Sequence, residues 1–445
     1  MRHRPPDRGR AIRASRLSFV ARPADSRCVR HRRAWNLVVV AACAAACTLL
    51  PAAAGAQSAP SAGRRTLATL TPDSPDTPSR CAFPFIVDAE NLNLAYPDPN
   101  ATYWAMPFTL DDGEQLVVHG TFPSARFMAV TLYTLGGDTV TQLSDLDIAP
   151  DPGSANPFAV ADPPPGSARR WTIEIVPSGA SGSSSNVLSL DAGQSAGWIV
   201  YRVYLGNPPG DLAGGAPLPA LVVRHGARSA VLEPCTQFLP GTGIAGLLRA
   251  TLPEPLLVTA APEFVRIAND SGLFANAANA YLSAFSNAER GQILVVRGTL
   301  PTTPDTEAGE SVVGDYELRY FSITSNLNQK PYPTVDGLYD HELPLDALGR
   351  YTVVVARDGD VPRNATAAND VAVLAWGDGD SQSVIIRNML PASSYAHAVQ
   401  DVTPSDYGAP SDAASVMDAF YPRIAECAKA KFEAEGPDGC LDGGR

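Results

Sequence analysis

Four arginines stand where an unpaired charge would be costly. Arg126, Arg319, Arg202 and Arg387 each lie inside a run of Val, Ile, Tyr, Phe or Met, and a guanidinium taken out of water needs a partner. Asp145, Asp147, Asp340 and Glu342 are available, in two stretches of chain with the same spacing. Two chemistries fit. One is an arginine–carboxylate bridge repeated inside each of two domains. The other is a polar pocket in which arginine holds the carboxylate or similar anion of a ligand. Repetition of the set favours the bridge. His341, between Asp340 and Glu342, titrates in the range of an acid or base, although a polar loop beside a strand end is the plainer reading. Tyr103, Trp104, Trp198, Tyr201 and Tyr204 offer faces for a sugar or lipid, while aromatics in strands more often serve the core.

No established catalytic signature accompanies these residues. The chain lacks a His-Glu-x-x-His pair, a P-loop and a haem attachment site. His119, His225, His341 and His397 are scattered, so no metal ligand set and no cofactor are assigned. Asp145, Asp147 and Asp151, with Gly153, make the best calcium candidate. Their spacing departs from the EF-hand loop, and acidic turns are common because they are solvated.

The elements that must position these residues come from an internal repeat. Gly113–Pro123 aligns without a gap onto Gly291–Pro301, with seven of eleven positions identical. Further matches follow in the same order: Arg126–Thr131 with Arg319–Thr324, Leu143–Asp151 with Leu338–Asp346, Arg170–Ile173 with Arg350–Val353, and Trp198–Tyr204 with Ser383–Met389. Asn100–Tyr103 has a looser echo in Asn279–Tyr281. A collinear series of this kind predicts two copies of one domain. Each matched segment is short, rich in Val, Ile, Thr and aromatics, and bounded by Gly, Pro, Asp or Asn, which reads as a strand. The expected fold is mainly β: two tandem β-sandwich or jelly-roll-like domains at 81–238 and 239–400, with a helical C-terminal tail at 401–445. Ile244–Ala250 and Pro262–Ala268 read as helix-like connectors between them.

The N-terminus carries eleven arginines in residues 1–33, an apolar run from Trp35 to Leu50, and Ala54-Gly55-Ala56. This is the pattern of a signal peptide over 1–56, followed by a Ser/Pro/Thr-rich linker at 57–80. Val40-Ala41-Ala42-Cys43 also resembles a lipoprotein box, so lipid anchoring is a minor alternative. Without residues 1–56 the chain keeps 23 basic and 44 acidic residues, a net charge of −21. Such a field repels nucleic acid, and no membrane span is expected in the mature chain. Cys81, Cys235, Cys427 and Cys440 remain; in an oxidising compartment four thiols permit three pairings, of which Cys81–Cys235 and Cys427–Cys440 are favoured.

Tyr96-Pro97-Asp98-Pro99-Asn100-Ala101-Thr102-Tyr103-Trp104, followed by Phe122-Pro123 and Ala125-Arg126-Phe127, resembles a set of uncharacterised exported bacterial proteins. In the second copy, Arg319-Tyr320-Phe321-Ser322, Trp376-Gly377 and Ile386-Arg387-Asn388-Met389-Leu390-Pro391 are similar to a widespread bacterial domain of unknown function. The resemblance covers most of residues 81–400. It implies a β-rich fold in a periplasmic or extracellular setting, and it brings no activity with it. The functional expectation is therefore an exported protein that binds or scaffolds, with a small molecule or polysaccharide as ligand. The alternative is a secreted hydrolase acting on a carbohydrate or ester through paired carboxylates.

Overall fold

The computed structural model describes residues 81–164, 166–239, 246, 249–250, 252–267 and 273–442. The signal peptide expected at 1–56, the linker expected at 57–80 and most of the helix expected at Ile244–Ala250 lie outside these residues.

Among the described residues the first half contains ten strands. They are β1 (Phe85–Val87), β2 (Ala101–Thr109), β3 (Glu114–Thr121), β4 (Ala125–Tyr133), β5 (Thr139–Ser144), β6 (Arg170–Val176), β7 (Val187–Ser189), β8 (Ala196–Gly206), β9 (Ala220–His225) and β10 (Arg228–Leu232). They form two sheets, in the orders β1-β2-β8-β4-β5 and β10-β9-β3-β6-β7. The second half contains β11 (Asn279–Ser286), β12 (Gln292–Thr299), β13 (Leu318–Leu327), β14 (Thr334–Tyr339), β15 (Arg350–Ala356), β16 (Val371–Ala375), β17 (Gln382–Pro391) and β18 (Arg423–Ala428). Its sheets run β11-β17-β13-β14 and β16-β15-β12-β18.

The two strand orders correspond. Reading β2-β8-β4-β5 against β11-β17-β13-β14, and β9-β3-β6-β7 against β18-β12-β15-β16, every matched segment occupies the equivalent place. Even the single parallel pairing recurs, β6 with β7 and β15 with β16. Alternation of side chains along a strand explains what each sheet buries. Ile199, Tyr201 and Val203 point into the first sandwich, and Val384 and Ile386 into the second. The opposite faces of β8 and β17 carry Val200, Arg202 and Tyr204, and Ile385, Arg387 and Met389. These faces are buried as well, because the two halves meet there.

The Gly-Thr step shared by both copies has a packing cause. Gly120 pairs with Trp171 and Gly298 with Tyr351 across the strands. A Cβ at Gly120 would lie 2.0 Å from the Trp171 ring, and one at Gly298 would lie 2.5 Å from the Tyr351 hydroxyl. Each glycine makes room for an aromatic of the core.

Two expectations need correction. The tail is not simply helical: α1 (Ala413–Met417) is short, and Arg423–Ala428 forms β18, which pairs with β12. The edge of β12 has to be covered, as β9 covers β3 in the first half, and that requirement overrides the helical propensity of an Ala-rich segment. The chain then enters α2 (Lys429–Leu441), broken at Gly436. Residues 262–267 are extended rather than helical. Val265 exchanges backbone hydrogen bonds with Ser283 on β11, and Arg266 donates to the carbonyls of Val399, Gln400 and Val402.

Both favoured disulfides form. Cys81–Cys235 ties the start of the first half to the segment after β10, where Ala82 bridges Pro234. Cys427–Cys440 fastens α2 to β18 across a sequence separation of 13 residues. Closing a loop of that length restricts the unfolded chain by about 3 kcal/mol. The double substitution Cys427→Ser/Cys440→Ser should therefore lower stability by about 2–3 kcal/mol in urea titration. A loss under about 0.5 kcal/mol would show that the bridge constrains nothing the β12–β18 pairing does not already hold.

Candidate functional site

The duplicated charges meet between the halves, not within them. Arg126 Nη1 reaches Asp340 Oδ1 and Oδ2 at 3.2 and 3.3 Å, and Arg319 Nη1 reaches both oxygens of Asp145 at 3.4 Å. Each arginine also donates to the other's backbone carbonyl, Arg126 to Arg319 at 3.4 Å and Arg319 to Arg126 at 3.3 Å. Each acid accepts a backbone N–H from its own half, Asp145 from Met128 and Asp340 from Phe321. The expectation of a bridge repeated inside each domain is thus corrected. The copies face one another across an approximate two-fold relation, so each arginine finds its partner's acid. Burial pushes both carboxyls up, Asp145 to about 6, against the pull of the facing guanidinium.

The other acidic candidates serve turns. Asp147 accepts from the Ser144 N–H and Glu342 from the Tyr339 N–H. Asp151 accepts from the Thr172 hydroxyl, so the three acids of the calcium candidate go to different partners. Among the described residues no group of three His, Cys, Asp or Glu side chains could hold a metal ion. His341 is part-exposed, with Nε2 3.6 Å from Asp340 and Nδ1 3.8 Å from Asp305.

Beside the bridges lies a cavity of about 300 Å³. Its walls come from the outward faces of β1, β2 and β8 in the first half and of β11 and β17 in the second, with Pro253 and Leu256 from the connecting segment. Most of the lining is apolar, including Phe85, Leu94, Val200, Phe274 and Ile385. Of the aromatics singled out in the sequence, Tyr103, Trp198 and Tyr204 line this space, whereas Trp104 and Tyr201 stack inside the first sandwich. Arg202 and Arg387 both line the cavity. Asp145, Asp147, Asp340 and Glu342 do not; among the described residues Glu254 is the one carboxylate in its lining.

The two cavity arginines differ. Arg387 is fully engaged: Nη1 donates to Thr324 Oγ1 at 3.0 Å, Nη2 donates to the Tyr96 carbonyl at 2.7 Å, and Nε faces Asp98 at 3.7 Å. Asp98 is itself buried and accepts from the hydroxyls of Tyr320 and Ser322. Arg202 is 1% exposed, and its hydrogen-bond partner is the Tyr133 hydroxyl. Its Nε has no partner, and its remaining contacts are the rings of Tyr103 and Tyr133, 5.4 and 5.8 Å from the guanidinium carbon. Among the described residues no carboxylate lies within ion-pair distance of it. Burial raises the phenols around it, Tyr204 to about 12 with Tyr103 and Tyr133 also pushed up, so no phenolate balances its charge at neutral pH.

Asp98 and Asn276 were not singled out in the sequence. The signal is the spacing of Tyr96, Asp98 and Tyr103 against Phe274, Asn276 and Tyr281, the same run of eight residues in each copy.

No family model matches this chain, and no curated protein matches it. Two solved bacterial structures resemble it. An uncharacterized protein from Burkholderia cenocepacia is 12% identical, with a TM-score of 0.44, covering 78% of this chain and 82% of its own. The VPA0106 protein from Vibrio parahaemolyticus is 10% identical, with a TM-score of 0.36, covering 74% and 89%. The fold class is that of a mainly β protein with four sheets.

Proposed function

We propose that this is an exported binding protein whose ligand, a small and largely apolar molecule, sits in the cavity between the two sandwiches. The observation that carries the reading is the cavity itself: about 300 Å³, walled by apolar side chains with a few convergent polar groups, as binding sites for small molecules are. Its walls combine the facing strands of two sheets with the segments around Leu94, Leu256 and Phe274. Both disulfides and the basic, then apolar, N-terminal sequence support an oxidising, exported setting.

Filling the space tests this. Ala105 and Val200 line the cavity from β2 and β8. Ala105→Trp or Val200→Trp should abolish saturable, one-site binding of a neutral solvatochromic dye such as Nile red, with the thermal transition retained. Absence of saturable binding to the unaltered protein, or binding untouched by both fillings, would overturn the proposal.

A further inference from the structure

Resting on that reading, we infer that the ligand is a monoanionic amphiphile, a single carboxylate on an apolar body, and that Arg202 receives its headgroup. The argument comes from a difference between two equivalent positions. Tyr96 and Phe274 are both held at positive φ, 57° and 53°. Two residues on, the backbone N–H of Asp98 donates to the Tyr103 hydroxyl at 3.2 Å, and that of Asn276 donates to the Tyr281 hydroxyl at 3.1 Å. Each side-chain Oδ1 then accepts the N–H two residues further along, Asn100 for Asp98 and Ala278 for Asn276. Asp98 and Asn276 are therefore the same site in the two copies.

They differ in charge and in hydrogen bonding, since Asn276 carries a donating amide nitrogen where Asp98 has a second carboxylate oxygen. The segment around Asp98 reaches into the second half, where Ala95 and Tyr96 bond to the backbone of Pro331 and Tyr332, and there Asp98 faces Arg387. The segment around Asn276 reaches into the first half, where Phe274 bonds to Gly137 and the Tyr133 hydroxyl donates to the carbonyls of Phe274 and Ala275. Asn276 is the counterpart of Asp98 on that side, and its amide brings Arg202 no charge. Its own Nδ2 is buried without a partner. The repeat therefore leaves one guanidinium neutralised and the other uncompensated beside an apolar cavity. A bare buried cation is costly. A ligand carboxylate restores the missing partner, and the cavity walls take the apolar remainder. One uncompensated charge calls for one anionic group, and the scarcity of polar lining disfavours a sugar.

The test uses the mature protein with both disulfides, titrated with dodecanoic acid and with dodecanol, each read by displacement of Nile red. Dodecanoate should bind about ten- to a hundredfold more tightly than dodecanol, the range expected of one charge-assisted hydrogen-bonded contact. Arg202→Gln and, separately, Asn276→Asp should remove that preference, bringing the affinity for dodecanoate down to that for dodecanol. The second variant keeps the arginine and supplies the charge found at position 98, so the outcome does not depend on Arg202→Gln folding. The preference should be flat from pH 6 to 9, since the raised phenols stay neutral there, and should fade as the carboxylic acid is protonated near pH 4–5. Equal binding of acid and alcohol by the unaltered protein, or a preference that survives Asn276→Asp, overturns the inference and leaves the binding function standing. Failure of both amphiphiles to displace the dye overturns the binding function itself.

Discussion

Asp145→Asn should lower the unfolding free energy by about 3–5 kcal/mol, because it strands the Arg319 guanidinium in the interface between the halves. Asp145 is fully buried and, among the described residues, gives that guanidinium its only carboxylate, 3.4 Å away. Arg319→Met should cost less, and the difference should depend on pH. Burial already holds the Asp145 carboxyl at about 6, above its ordinary 3.8. The folded chain therefore binds this proton more tightly than the unfolded chain. The contribution of this acid is fully present below pH 3.8 and is lost as the pH rises through about 6. The ionised bridge is thus no net source of stability; what it does is cancel a charge that cannot leave. With Arg319 gone, Asp145 can take up a proton, whereas with Asp145 gone, Arg319 cannot lose one. Relative to the unaltered protein, Arg319→Met should be least destabilising near pH 5 and more so at pH 7, while the cost of Asp145→Asn should be larger at pH 5 than at pH 7, where the titrating contribution it removes has been lost. Urea titrations at the two pH values decide it. Equal costs for the two variants at pH 5 would mean that packing, not charge, fixes the interface. Asp340→Asn should repeat the result, since Arg126 is as deeply buried and already has Nη2 unpartnered.

How far the sequence predicted this depends on what a one-dimensional repeat can carry. The strands were legible from alternation and turn residues, and the order of the matches placed them in equivalent positions. The four arginines were legible too, because a charge inside an apolar strand contradicts its neighbours. The direction of their pairing was not. The spacing from Arg126 to Asp145 is 19 residues and that from Arg319 to Asp340 is 21, and this near-equality says nothing about which copy supplies the acid. Only the facing of β4 and β13 decides that. Strand β18 was hidden for another reason: Arg423–Ala428 has no strong β propensity, and its partner β12 lies more than a hundred residues earlier. The cavity as a space was illegible, since its walls come from strands and loops of two halves, although Tyr103, Trp198, Tyr204, Arg202 and Arg387 in its lining stood out by residue type. A further trace is the exchange of Asp98 for Asn276, which looks like surface variation until both positions are seen to be buried.

Asp98→Asn should also cost about 3–5 kcal/mol, and it measures what the native protein tolerates at Arg202. Asp98 is wholly buried, and its carboxylate accepts from Tyr320, Ser322 and the Asn100 N–H while facing Arg387. The amide keeps the shape and one acceptor oxygen but presents N–H groups where hydroxyls now donate, and it leaves Arg387 without a counter-charge. Part of the cost is therefore a lost charge and part is mispaired hydrogen bonds. Tyr320→Phe separates them: it removes one donor from an intact carboxylate and should cost about 1 kcal/mol. The reverse exchange, Asn276→Asp, should move stability the other way, since it brings a carboxylate to the side on which Arg202 has none. If the two substitutions shift the thermal midpoint in opposite directions, the unaltered protein carries a stranded guanidinium that a single residue could have neutralised. Stability given up at a cavity wall is what a site waiting for an anion would show. If instead Asn276→Asp destabilises as much as Asp98→Asn does, Arg202 is already compensated within the fold, and the two arginines are equivalent after all.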